Sequence, residues 1–408
     1  MERRDFFRKS IGAAITMGAI SNSLSAGIFD LGLPFGSQSD QELKLHKLDG
    51  IEFTEIKMNY PRQVGKNSIR GIHGFGPSMT VATLKTDRGA SGWGLMRSNV
   101  RDSKVAFEAL KGKPITDFFT VEKGVISDSA RTFDIPLHDL AGQILQKPIY
   151  KLLGKETPET AKCYSGMIYF DDLEQPTKTA GLDKIMEECQ FDSNYGYRQL
   201  KVKIGRGNKW LPGIDGLNRD IEVTKLVAKN FPQCEILVDG NDGFNVNGII
   251  DYLKGIGDIP LFWVEEPFIE TIEDYRILRN WTKSNGHVKY LADGEANPDM
   301  NLVAQLEDLK LIDVCLADIM GYGFTPWRNM MPVLKQKNIL ASPHNWGDRL
   351  KQNYTIQFVG AYGNTATIEG VTCTSDDVDF GDYKLVGGKY IPSNAPGFGM
   401  KLLKKNII

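Results

Sequence analysis

Apolar and polar positions change rhythm near residue 161 of this 408-residue chain. Before that point the pattern is first strand-like, from about Leu45 to Gly94. Residues 80–85 alternate apolar and polar side chains, and Asp87-Arg88-Gly89 supplies a hairpin turn before Gly92-Trp93-Gly94. Residues 102–153 then read as mostly helical. Leu137, Leu140, Ile144 and Leu145 fall on one helical face, and Pro136 suits a first-turn position, so a helix is predicted to start there. A sheet followed by helices predicts a separate α+β unit over residues 45–160. From residue 161 short apolar strands alternate with amphipathic helices. The predicted strands are 163–167, 199–204, 235–239, 261–265, 290–294, 314–318, 339–343 and 366–369. Helical stretches between them carry Ile221, Leu226 and Val227, then Ile249, Ile250 and Leu253, then Leu302, Val303, Leu306 and Leu309. Eight strand-plus-crossover units in roughly 210 residues predict a closed parallel barrel. An open doubly wound sheet would bring a Gly-rich nucleotide loop after its first strand, and this chain has none.

The first 26 residues are read apart from the fold. Arg3-Arg4-Asp5-Phe6-Phe7-Arg8-Lys9 precede an apolar run, Ile11 to Ile20, that is too short to span a bilayer, and small residues follow near Ser23 to Ala26. This resembles a twin-arginine export signal more than an amphipathic N-terminal helix. The mature chain is therefore expected in the periplasm, with no membrane association after export. Residues 27–44, rich in Gly, Ser and Asp, are read as a linker. A formal net charge of −2 gives no basic surface for nucleic acid or anionic membrane. The five cysteines are scattered and never spaced CxxC, so they are read as buried thiols rather than a zinc cage or disulfide framework.

The chemistry is carried by position. Strand two bears Lys201 and Lys203, and strand three ends in Asp239 with Asn241 just beyond. Strand four ends in Glu265, and strand five in Asp293 with Glu295 close behind. Strand six ends in Asp318, strand seven runs into His344, and strand eight ends in Glu369. A single polar strand end needs only solvent to explain it. A run from strand two through strand eight points to one shared mouth, where barrels build their sites.

Asp239 and Glu265, with Asp293 or Glu295, would place three carboxylates on adjacent strands. Hard oxygen ligands of this kind suit Mg²⁺, and without a cation they would raise one another's pKa. Glu265-Glu266-Pro267 is the more distinctive element, because Pro267 stops the strand and fixes where the acids point. Lys201 and Lys203, two apart, share a face. If that face looks into the barrel, the two ammoniums, at close range near a bound cation, should lower each other's pKa, as a lysine base requires. Asp318 is placed to bond the His344 imidazole and set its tautomer. Glu369, protonated, would donate to a developing enolate oxygen.

These residues resemble the enolase superfamily, specifically its mandelate racemase subgroup, from about residue 45 to the C-terminus. The run from Thr86 to Gly94 resembles that family's capping-domain hairpin. Residues 134–142 resemble the helix leading into its barrel, with His138 where Trp is usual, and residues 148–154 continue the match. Lys201-Val202-Lys203 resembles the family's KxK motif. Asp239, Glu265 and Glu295 fall where its three metal ligands fall, and Asp318, His344 and Glu369 where its dyad and strand-eight acid fall. The resemblance implies a (β/α)7β TIM-like barrel over residues 161–385, an N-terminal α+β capping domain, and a segment, 386–408, that returns to the cap. It also implies Mg²⁺, a small-molecule carboxylate substrate and a homo-oligomer. The expected reaction is α-proton abstraction followed by dehydration of a sugar acid to a 2-keto-3-deoxy acid. Racemisation or epimerisation of a 2-hydroxy acid is the alternative. A non-catalytic sugar-acid-binding protein would need no lysine–histidine pair. The related muconate cycloisomerase group carries a lysine on strand six, and residues 312–323 contain none, so the resemblance argues against cycloisomerases and dipeptide epimerases. Substrate contacts are expected from the cap, among Tyr60, Arg62, Lys66 and His73, with Trp210 and Pro212 as a further wall.

Overall fold

In a computed structural model, residues 36–174, 180–295 and 298–403 are described. The expected leader, residues 1–26, lies outside them. Over the second part of the expected linker there is instead a helix, Gly36–Lys44. Its Leu43 is fully buried and Asp40 accepts the Val121 N–H at 3.1 Å, contacts that a linker reading from composition cannot anticipate.

The cap is a three-stranded antiparallel sheet, Leu48–Lys57, Ser78–Thr86 and Ser91–Leu95. Its hairpin turns where the sequence predicts, with Gly89 at φ +81°. The helix Asp134–Leu145 packs across it, starting two residues before Pro136, which still occupies the first turn. Close approach explains Gly92: a Cβ there would sit 2.2 Å from the Leu140 nitrogen. Between Val100–Glu108 and Asp134 the chain is not helical as expected. It makes 3₁₀ turns and a two-residue ladder, Phe119–Thr120 with Gly124–Val125, in a stretch broken by Gly112, Pro114 and Gly124.

The barrel is closed. Its strands, in order, are Ala161–Ile168, Gln199–Lys203, Glu235–Asp239, Leu261–Glu265, Val288–Asp293, Val314–Cys315, Leu340–Ala341 and Ile368–Gly370. Consecutive strands pair in parallel from the first through the seventh. The eighth pairs with the first, and an Ala341–Thr365 bridge joins the seventh to the eighth segment. A helix follows each of the first seven strands, which gives the (β/α)7β architecture. Side-chain alternation divides the core into two layers. Leu200, Val202, Ile236, Val238 and Val264 pack outward under the helices. Tyr164, Leu237, Trp263, Ala292 and Val314 fill the barrel interior. By the same alternation Lys201, Lys203, Asp239 and Glu265 project inward above that plug.

The chain rejoins the cap earlier than residue 386. Asn59 and Thr374 already exchange backbone hydrogen bonds at 2.8 and 3.0 Å, and further on Asp139 accepts from the Phe398 N–H at 2.9 Å. Among the described residues no helix is long and apolar enough to cross a membrane.

Candidate active site

Strand register brings the polar ends together. Lys203 pairs with Asp239 and Asp239 with Glu265, so the second, third and fourth strands present their tips at one level. Lys201 is 1% exposed and its Nζ lies 3.0 Å from both Asp239 Oδ2 and Glu265 Oε1, and 3.1 Å from Glu369 Oε1. Lys203 Nζ lies 2.5 Å from Asp239 Oδ2. Burial pulls the Lys201 ammonium down, but Glu265, Glu369 and Asp239 outweigh it and hold the group well above its ordinary value. Three acids at hydrogen-bond range count for more than one neighbouring ammonium.

The third acid is Glu295. The fifth strand ends at Asp293, and Gly294 at φ +99° breaks the alternation that would have put both acids on one face. Asp293 turns away, accepting from the Tyr275 hydroxyl and, at 2.6 Å, from the Gly294 N–H. Asp239, Glu265 and Glu295 each bring an oxygen within 4.8 Å of the others. Glu265 Oε2 and Glu295 Oε2 are buried with no hydrogen-bond partner. Burial and the Asp239 charge push Glu265 well above the usual carboxylate range. Buried, like-charged and incompletely bonded oxygens are a donor set that fits a hard divalent cation such as Mg²⁺. Asn241, held at φ +41°, donates its N–H to Asp239 Oδ1 at 3.0 Å and its side-chain amide to Glu266 at 3.3 Å. It therefore fixes the strand-three acid from behind.

Across the mouth, His344 Nδ1 is 2.9 Å from Asp318 Oδ2 and its Nε2 is 3.0 Å from Glu295 Oε1. Burial lowers the imidazole pKa, but Glu295, Glu369 and Asp318 more than compensate and raise it above its ordinary value. Glu369 differs from expectation. Burial pushes its carboxyl up, yet Lys201, His344 and Lys203 hold it below the usual range. It is an acceptor, taking the Asn345 N–H at 3.2 Å, and the adjacent donor is Lys201.

Lys203, Asn241, Glu295, Asp318 and His344 line one cavity of about 520 Å³. From the cap, His73 reaches it, with Nδ1 fixed 2.8 Å from the Gly65 carbonyl. Tyr60 and Arg62 do not line it. Tyr60 donates to the Gly347 carbonyl at 2.7 Å. Arg62 forks onto Asp192 at 3.0 and 2.8 Å and onto the Met167 carbonyl, locking the cap loop to the barrel. Lys66 pairs with Glu174 at 3.2 Å. Trp210, expected as a wall, bonds the Asn67 carbonyl at 2.6 Å and braces that loop without lining the cavity. The sequence reading missed Asn67, Arg70, Tyr169 and Trp346, all of which line the cavity. Tyr169 carried a readable signal, being the first residue past the first barrel strand.

The sequence model of the family described as enolase C-terminal domain-like matches residues 184–406. A 3,6-anhydro-alpha-L-galactonate cycloisomerase from Streptomyces coelicolor is 27% identical over 231 residues, 55% of this chain and 57% of that protein. An L-galactonate dehydratase from Hypocrea jecorina is 21% identical over 389 residues, 78% of this chain and 84% of that protein. A point mutant of galacturonate dehydratase from a Geobacillus species, solved with Mg, superposes with a TM-score of 0.81 at 26% identity, covering 88% of this chain and 93% of that one. The same enzyme, solved with D-galacturonate and 5-keto-4-deoxy-D-galacturonate, gives 0.80 at 27%, covering 88% and 95%.

Proposed function

The chain belongs to the enolase superfamily, in its mandelate racemase subgroup, and from that premise we propose that it is a Mg²⁺-dependent lyase that dehydrates a sugar acid to a 2-keto-3-deoxy acid. The observation that carries this reading is one cavity lined by both Lys203 and His344, beside a triad of converging carboxylates. Asp239, Glu265 and Glu295 would hold the cation, which when bound would supply positive charge to stabilise an enolate formed from the substrate carboxylate. Lys203 and His344 enter from the second and seventh strands, on different sides of the mouth, so each can take or return a proton at the α-carbon. In dehydration one base takes the α-proton. The C–O bond at the β-carbon then breaks, its hydroxyl leaves as water with a proton from an acid in the site, and the enol formed becomes the 2-keto acid. Asp318 fixes the His344 tautomer through the 2.9 Å contact at Nδ1. Lys201, held as an ammonium by Glu265 and Glu369, is the donor to the developing enolate oxygens, the part expected of Glu369.

The likeness to a cycloisomerase narrows what the lysine-free stretch 312–323 can exclude. That stretch does not separate dehydration from every cycloisomerisation; the reaction itself has to be assayed. Screening sugar acids with Mg²⁺ for 2-keto-3-deoxy products is the test. Dehydration of at least one acid supports the proposal; racemised or ring-isomerised products with no water loss overturn it.

The proposal extends to export and assembly. Arg3, Arg4 and the apolar run to Ile20 support a twin-arginine leader and a periplasmic enzyme, and the family supports a homo-oligomer. Fractionation that finds the protein only in the cytoplasm would remove the first, and a monomer in sedimentation the second.

A further inference from the structure

Tyr169 stands at the only barrel strand end to which no role has been given. Its ring is 2% exposed and lines the cavity with Lys203, His344 and Trp346. Three contacts fix the ring. His73 meets it edge-on with centroids 4.8 Å apart, Trp346 lies tilted against it at 5.1 Å, and Lys203 Nζ is 5.1 Å from its centroid. The ring is thus clamped between the cap loop, the seventh barrel segment and the lysine at the end of the second strand.

Most buried tyrosines here give the hydroxyl a partner, and Tyr164, which lacks one, sits in the barrel plug and does not line the cavity. Tyr252 shares a hydrogen bond with Thr224 at 2.7 Å, Tyr197 with Thr372 at 3.2 Å, and Tyr383 donates to the Phe398 carbonyl at 2.6 Å. Among the described residues the Tyr169 hydroxyl makes no hydrogen bond within the protein, and it is not one of the oxygens sealed from solvent without a partner, which leaves it free to meet a molecule in the cavity. Phenylalanine would fill the same space against His73 and Trp346, so packing does not account for the oxygen. Burial holds the phenol well above its ordinary pKa, which keeps it a neutral donor.

We propose that Tyr169 is a specificity-determining residue of this site, its hydroxyl donating a hydrogen bond to the substrate hydroxyl on the carbon next to the one that loses its proton. The proposal rests on the enolate reading and sharpens it: the site selects acids that carry a β-hydroxyl. Lys203 Nζ lies 5.1 Å from the centroid of the same ring, which sets the phenol beside the proposed base and so beside the carbon next to the one that loses its proton.

Glycerate and lactate differ only in that hydroxyl. Racemic forms of each, titrated with Mg²⁺ against wild type and Tyr169→Phe, are read through tryptophan fluorescence, since Trp346 borders the ring. Wild type should bind glycerate about tenfold more tightly than lactate, the value of one hydrogen bond. Tyr169→Phe should erase that preference and leave lactate affinity unchanged, because the ring remains. A preference that survives the substitution overturns the proposal, and so does an equal loss for both acids, which would mark a ring that only positions its neighbours. Wild type that binds neither acid overturns this proposal, while the enolate reading stands or falls on α-proton exchange with the broader set of acids.

Discussion

Two buried ionic clusters meet at the second barrel strand, and they are assembled on opposite principles. In one, Arg206 is fully buried. Its guanidinium bonds Asp172 at 2.7 Å, Asp220 at 2.8 Å and the Lys203 carbonyl at 3.2 Å, while Asp220 also takes the Gly205 N–H at 2.8 Å. None of the side-chain polar atoms of Arg206, Asp172 or Asp220 is left buried without a partner. In the other, at the mouth, two lysines and a histidine face Asp239, Glu265, Glu295, Asp318 and Glu369, and oxygens of Glu265 and Glu295 remain unbonded. The first cluster is closed and stabilises the loop behind Lys203. The second is over-acidic and incomplete, which costs stability until a cation or substrate completes it. What separates a structural network from a functional one here is the bonding of the last oxygen, since both are buried and charged.

The largest effect expected from this contrast is catalytic. His344→Asn should reduce turnover by about 10³-fold, in the range of a lost general base, while the protein still folds and loses less stability than Arg206→Met, because the imidazole is 14% exposed and Arg206 is fully buried. A steady-state assay paired with thermal unfolding checks both halves; full activity would remove the dyad from the mechanism. Arg206→Met should do the reverse, costing roughly 3–5 kcal/mol of stability because Asp172 and Asp220 are left buried and uncompensated. Equilibrium denaturation measures it, and a loss below about 1 kcal/mol would contradict the closed-network reading.

Mg²⁺ separates the clusters again. At about 100 times its dissociation constant it should stabilise wild type by about 2.7 kcal/mol. Glu295→Gln should abolish that shift, while Asp220→Asn lowers stability but keeps it. Calorimetric scans with Mg²⁺ and with a chelator decide the point, and a shift retained in Glu295→Gln takes Glu295 out of the ligand set.

The smallest effect is a control from the cap. Burial raises the Asp139 pKa from 3.8 to about 6, against the pull of N–H donors from Phe398 and Trp93. A raised folded value in an acid means that the folded chain holds a proton the unfolded chain has released. Stability therefore falls as pH rises from about 3.8 to about 6 and is level above. Between pH 5 and pH 7 wild type should lose on the order of 1 kcal/mol more than Asp139→Asn. Identical pH slopes in urea denaturation would refute the assignment.

Much of this was legible in the sequence for one physical reason. A parallel strand alternates, so Lys201 and Lys203 had to share a face, and Leu200 and Val202 had to share the other. What stayed hidden depended on long-range or irregular geometry. Arg62 was taken for a substrate contact because its partner Asp192 lies far along the chain. The choice of Glu295 over Asp293 turns on one glycine at positive φ. The raised Lys201 and the ionised Glu369 follow from a three-way contact among strands two, four and eight. Tyr169 is marked only by its place just past the first strand, since an aromatic next to an apolar strand has the composition of packing.

The central claim is that this mouth removes a proton α to a carboxylate, and solvent exchange reads that step without requiring the right final product. Wild type is incubated in D₂O with Mg²⁺ and a broad set of racemic 2-hydroxy and sugar acids, and deuterium incorporation is followed by proton NMR. The account predicts deuterium at the α-carbon of recovered substrate for at least one acid, or at C3 of a 2-keto-3-deoxy product, where the enol takes up a solvent deuteron as it becomes the ketone, and the loss of both in the double variant Lys203→Met, His344→Asn. Mg²⁺-loaded enzyme that binds these acids and exchanges none of them would contradict it.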